Sequence, residues 1–148
     1  MIKNETKTAT LEDAIAIAAQ AHKGQTDKAG ASYILHPLRL MMQMKSEEAM
    51  IAAVLHDVVE DSNWTLGELR EKGFSEAVLE AIECLTKRDG ERYENFIERA
   101  GKNAIARQVK IADLEDNMNI RRIGQIQPKD LERLEKYHRS WVFLTKTQ

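Results

Sequence analysis

The sequence predicts an all-α fold, a bundle of seven or eight helices, and three observations carry that reading. Ala, Glu, Lys, Leu and Ile are abundant, while aromatic residues make up only 5% and prolines number 2. Apolar positions recur at helical spacing, as in Ala77, Val78, Ala81, Ile82 and Leu85. Strict two-residue alternation, the mark of a half-buried strand, is hard to find. With no internal repeat, low-complexity tract or Pro/Gly-rich linker, the 148 residues read as a single domain, its core running from about residue 10 to about 145.

Each element has its own punctuation. Thr10 is placed to cap "LEDAIAIAAQAHKG", with Asp13 in the first turn and Gly24 near the end. "GQTDKAGASYIL" reads as a loop rich in Gly, Ala and polar residues. Pro37 suits the first position of the next helix and should hold His36 outside the α region. Ser46 caps one continuous helix, "EEAMIAAVLHDVVED", and Thr65 caps "LGELREKG", where Glu68 completes a capping box. "SEAVLEAIECLTKR", "YENFIERAG" and "AIARQVKIADLEDNM" follow as helices, and Pro128 opens a last one reaching about Thr145.

Composition limits the function. At 43% hydrophobic and 31% charged, the chain is globular rather than disordered. A formal charge of −2 gives no overall attraction to a nucleic acid polymer or to an anionic membrane. A phosphate-bearing small molecule would need a local cluster of Lys and Arg. Cys84 is the only cysteine, which excludes an internal disulfide and a four-thiolate zinc site; it reads as a small core residue. "MIKNETKTATLEDA" lacks the apolar stretch of a signal peptide, and no apolar run approaches the roughly 20 residues of a membrane span. The expected location is cytoplasmic, and a homo-oligomer is left open.

One short stretch asks for an explanation. In "AVLHDVVED", His56, Asp57, Glu60 and Asp61 crowd around two valines directly after an oily run. In a continuous helix, at about 100° per residue, all four fall in a sector about 140° wide and can face one point. Imidazole nitrogen beside carboxylate oxygen suits a borderline divalent ion such as Mn²⁺, Fe²⁺, Co²⁺ or Zn²⁺. His36 stands at a helix mouth, and Asp113 interrupts the oily "VKIADLEDN", where an unpaired carboxylate is costly. The competing reading is a metal-free ion-pair network. It wants a Lys or Arg at helical spacing to neutralise the carboxylates, and none stands out near the quoted stretch.

The order H…HD…D resembles the HD superfamily of metal-dependent phosphohydrolases. "AHKGQTDKAGASYILHP", "VLHDVVED" and "VKIADLEDN" narrow the resemblance to the hydrolase domain of the RelA/SpoT alarmone enzymes and to the stand-alone small alarmone hydrolases. It spans residues from about 10 to 140, which leaves no room for the synthetase or regulatory domains of the long members. The resemblance implies that His36, His56, Asp57 and Asp113 hold a divalent metal, Mn²⁺ as first choice. It makes Glu60 and Asp61 the pair that orients and deprotonates the attacking water. Lys28, Tyr33 and Asn117 would line a nucleotide pocket, with Lys87 and Arg133 as further phosphate or rim contacts.

The implied reaction removes pyrophosphate from the 3′ position of guanosine 3′,5′-bis(diphosphate). The alternatives are a phosphohydrolase for another nucleotide and a catalytically idle nucleotide sensor. Two departures from the family pattern bear on which base and phosphates are recognised. Asp27-Lys28 replaces a basic pair, and Leu114-Glu115-Asp116 replaces a basic-Leu-His/Tyr stretch.

Plainer readings cover the rest. His22 reads as a hydrogen-bonded core histidine, and the stripe from Leu40 to Met44 as helix core. Lys87-Arg88 and Arg121-Arg122 are solvated pairs unless a diphosphate recruits them. In the last helix, Arg133 and Tyr137 are the rim candidates and His138 is exposed.

Overall fold

Beyond Glu47 and Glu48 at its start, the helix Glu47–Leu55 (α3) is apolar on every face, and that decides its place. A helix without a polar stripe has to be surrounded. Leu11–Ala21 (α1), Leu35–Gln43 (α2), Glu76–Leu85 (α6) and Ala104–Asn117 (α8) all pack against it. Ala49, Ala52 and Ala53 are small enough to let these neighbours approach closely, while Ile51, Val54 and Leu55 fill the space between them. The computed structural model describes residues 7–146, so the first six residues of the N-terminal stretch lie outside it.

Four further helices complete the bundle: Val58–Asp61 (α4), Leu66–Glu71 (α5), Tyr93–Gly101 (α7) and Pro128–Lys146 (α9). α4 is a single turn of 4 residues, which leaves eight longer helices among the described residues. A 3-10 turn at Ile120–Arg122 joins α8 to α9, and an isolated antiparallel bridge between Thr26 and Ser32 closes the α1–α2 loop. No strand occurs among the described residues, and no helix there is long and apolar enough to cross a membrane. A smaller apolar cluster, Phe96, Ile97, Leu114 and Leu144, binds α7, α8 and α9 together.

Most helix starts are where the capping residues put them. Thr10 with Asp13, and Thr65 with Glu68, form reciprocal capping boxes, and Ser46 accepts from the Ala49 amide. Two boundaries differ from the sequence reading. α2 begins at Leu35, so His36 is helical and Pro37 is the third residue. Proline is tolerated there because amides in a first turn have no partner within the helix. The expected continuous helix through Asp61 is also broken. The His56 ring turns back so that its Nδ1 lies 2.7 Å from Ala53 O, and its amide reaches the same carbonyl at 3.4 Å. α3 therefore tightens and stops at Leu55, and α4 starts afresh at Val58.

The connection between α6 and α7 is tied by one arginine. Arg99 pairs with both oxygens of Glu91 at 3.0 and 2.9 Å, and donates to Glu83 O and Thr86 O at 2.8 and 2.7 Å. Arg99, followed by the Arg88 amide, lowers the Glu91 carboxyl from its ordinary 4.5 to about 2. A carboxyl depressed on folding stabilises the fold above its unfolded value and stops doing so as pH falls through the folded one. We therefore expect Glu91→Gln to flatten the loss of stability between pH 4.5 and about 2. Thermal unfolding at pH 3 and pH 7 checks this; equal wild-type and variant pH dependence would remove Glu91 from the acid response.

Candidate metal centre and ligand cavity

The break between α3 and α4 aims the site. His56 is 2% exposed, and with Nδ1 donating to Ala53 O its Nε2 is the nitrogen left to face the cluster. That Nε2 is buried and has no hydrogen-bond partner. Asp57 Oδ2 lies 3.0 Å from it, and Asp113 Oδ1, from the far end of α8, lies 3.7 Å away. His36 reaches in from the first turn of α2 and puts its Nε2 2.9 Å from the same Asp113 oxygen. His36, His56 and Asp57 place one ligand atom each within 4.8 Å of one another.

The electrostatics ask for positive charge at the centre. Burial works against protonation of His56, but Asp57 and Asp113 outweigh it and hold the imidazole well above its ordinary pKa. Burial would likewise raise Asp57, yet His56 and the Tyr33 hydroxyl bring it down to about 2. Tyr33, pushed up by burial and then by Asp57, stays a neutral donor to that carboxylate. Two imidazole nitrogens facing two carboxylates, with one nitrogen left without a partner, are a donor set that a divalent cation fits.

Asp116, treated in the sequence as a position affecting substrate choice, has a different place. It is buried behind His36, its Oδ2 2.6 Å from Nδ1, which turns Nε2 to face the cluster. Arg39 grips Asp116 with two bonds of 2.8 and 2.9 Å, and Arg122 adds contacts to its main-chain oxygen and carboxylate. Glu115, by contrast, is exposed and accepts from the Trp141 indole. We expect Asp116→Asn to weaken divalent-metal binding by about 10- to 100-fold without unfolding the bundle. Titration calorimetry with Mn²⁺ measures it, and unchanged affinity would leave His36 positioned by other means.

Lys110 corrects the other sequence expectation. It stands three residues before Asp113 and reaches Asp113 Oδ2 at 2.8 Å, its side chain 12% exposed. A neutralising cation is therefore present at helical spacing after all. It occupies one oxygen of Asp113 and leaves Oδ1 toward the histidines.

Glu60 and Asp61 sit on α4 beyond the cluster, solvent-accessible at its rim. Partial desolvation, then the charge of Asp57, raises both carboxyls. A cavity of about 250 Å³ includes His36 in its wall. Of the sequence candidates, Lys28, Tyr33, Asn117 and Arg133 line it, and so does Arg122. Asn117 also donates to Asp113 Oδ1 at 3.0 Å.

Lys87 does not line this cavity. It is exposed in the α6–α7 connection, which Arg99 draws onto α7. Asp27 does not simply face a ligand either. Its Oδ1 accepts from the amides of Ala29 and Ala31, so it builds the loop it sits in. His22 is buried, with Nδ1 3.0 Å from Gln25 Oε1 and its ring against Tyr33.

Comparison with known proteins gives this geometry a context. Curated relatives include the bifunctional (p)ppGpp synthase/hydrolase SpoT of Escherichia coli K12, 31% identical over 141 residues. A guanosine-3′,5′-bis(diphosphate) 3′-pyrophosphohydrolase of Haemophilus influenzae is 33% identical over 135 residues. These matches cover 85% and 81% of the chain but 20% of each relative, so the chain spans about a fifth of their length. A solved structure of a metazoan ortholog of SpoT, described as hydrolysing ppGpp, superposes with a TM-score of 0.77 at 22% identity. It covers 95% of this chain and 87% of that one, and shows the same fold. The family model for the HD domain matches residues 14–123, a span that takes in α2, the α3–α4 break and all of α8. The chain belongs to the HD domain family.

Proposed function

We propose that this chain is a metal-dependent phosphohydrolase that acts on a nucleotide. Its first-choice substrate is guanosine 3′,5′-bis(diphosphate), cleaved at the 3′-diphosphate to release pyrophosphate. The observation that carries the reading is the buried His56 Nε2, without a hydrogen-bond partner and set among His36, Asp57 and Asp113, of which His36 also lines a cation-bearing cavity. Those four residues would hold a divalent cation, Mn²⁺ as first choice. When bound, it would lower the pKa of water and polarise a phosphoryl oxygen.

The chain's own groups supply the rest. Glu60 and Asp61, their carboxyls raised by desolvation and by the charge of Asp57, orient the attacking water and take its proton. Tyr33 holds Asp57 through its hydroxyl, and Asp116 holds the His36 ring. Lys28 and Arg133 meet the phosphates, and Asn117 bonds the sugar or a phosphate from the cavity wall. Such a reaction belongs in the cytoplasm, where nucleotides turn over.

The test is direct. Protein loaded with Mn²⁺ is incubated with a panel of nucleotides, and products are separated chromatographically. GDP and pyrophosphate from guanosine tetraphosphate are expected. Nucleotide binding without release of phosphate or pyrophosphate from any member would replace the hydrolase with a sensor.

A further inference from the structure

The cavity carries a charge pattern that hydrolysis does not require. Three cations line it, Lys28, Arg122 and Arg133, and two of them already face a carboxylate. Arg122 Nη1 lies 3.5 Å from Asp27 Oδ2, and Arg133 Nη1 lies 3.5 Å from Asp130 Oδ1. Neither carboxylate is at liberty to swing away. Asp27 Oδ1 accepts from the Ala29 and Ala31 amides, both at 2.9 Å, and Asp130 Oδ2 accepts from the Gln127 amide at 2.8 Å. Arg122 is further anchored to the main-chain oxygen of Asp116 at 2.7 Å. Lys28 alone of the three makes no hydrogen bond or ion pair among the described residues.

We propose that this cavity selects nucleotides by phosphate count, favouring those with fewest phosphates outside the metal cluster, because fixed carboxylates neutralise its two arginines in advance. A first phosphate can take Lys28. Each further one must share an arginine with Asp27 or Asp130, a few ångströms from a like charge. Cavities that prize polyphosphates do the opposite and present unpaired cations. Selection here comes as much from what the pocket repels as from what it attracts. The inference rests on the reading of this cavity as a nucleotide site.

The experiment is calorimetric titration of the full chain, without added metal, with GMP, GDP and GTP. Wild-type affinity is expected to fall along that series. Asp27→Asn and Asp130→Asn keep the side-chain oxygen that the backbone amides need and remove only the charge. Each should tighten GTP about tenfold, equivalent to about 1.4 kcal/mol, and GMP by less than about threefold. Circular dichroism verifies the fold of each variant, and Lys28→Ala should weaken all three nucleotides alike.

A wild-type affinity that is level from GMP to GTP, or that rises, overturns the proposal. So does an equal shift for every nucleotide in the variants, or failure of all three to bind. Turnover of guanosine tetraphosphate alongside an unselective series sinks phosphate counting alone. A selective series without turnover sinks the hydrolase reading alone.

Discussion

Alanine at His56 or at Asp57 is expected to abolish metal retention and turnover together. Both side chains face the centre of the cluster, and neither has a substitute nearby. His56 contributes a buried nitrogen with no hydrogen-bond partner, and Asp57 contributes the carboxylate 3.0 Å from it. Three donors instead of four leave an open, weakened site. The backbone itself should tolerate the change, since alanine is the best helix former and the break at this point depends on a single side-chain bond. Dialysed variants are therefore expected to hold far less than one equivalent of metal by elemental analysis, to keep their circular dichroism, and to show background hydrolysis. Full stoichiometric metal with normal turnover in either variant would take that residue out of the centre.

Glu60→Gln is expected to separate what the first pair of variants joins. Glutamine keeps the size and the hydrogen-bonding capacity but accepts no proton at neutral pH. The metal should remain, and the rate should fall by about 10²–10⁴. The pH profile adds a second reading. Desolvation, then Asp57 and Asp61, place the Glu60 carboxyl above its ordinary 4.5. The wild-type rate should thus rise as pH passes that raised value, and the variant should lose this acid limb. Near-normal turnover with an unchanged limb would hand the proton to Asp61 or to solvent.

What the sequence disclosed, and what it did not, divides along local and non-local lines. Capping boxes at Thr10 and Thr65 involve partners three residues away, so they are written in the order of the residues. Beyond Glu47 and Glu48, the uniformly apolar α3 likewise announces its central place. The break at His56 was not visible, because it depends on an imidazole turned back onto Ala53 O in the packed protein. Asp116 was misjudged for the same reason: its partners His36 and Arg39 lie 80 and 77 residues away in sequence. Lys110 is different. Its spacing to Asp113, three residues along one helix, is local and legible in the sequence, though it lies far along the chain from the stretch His56 to Asp61. Lys87 was chosen on charge alone, and charge without a position says little about where a loop will be pulled.

The pairing of Lys110 with Asp113 reaches beyond chemistry at the cavity. Because an internal ammonium already balances Asp113, and His56 and the Tyr33 hydroxyl face Asp57, the carboxylates of the cluster have partners before any metal arrives. Small zinc modules that fold only on metal capture are built the other way. Here maturation can run in two independent stages, chain collapse first and ion acquisition afterwards. A chelated sample should then stay native, its melting temperature moved only by the mass-action contribution of the lost ligand. Which ion the mature protein carries would be decided by supply in its surroundings at that second stage, so identical chains raised in different media should emerge as chemically different populations.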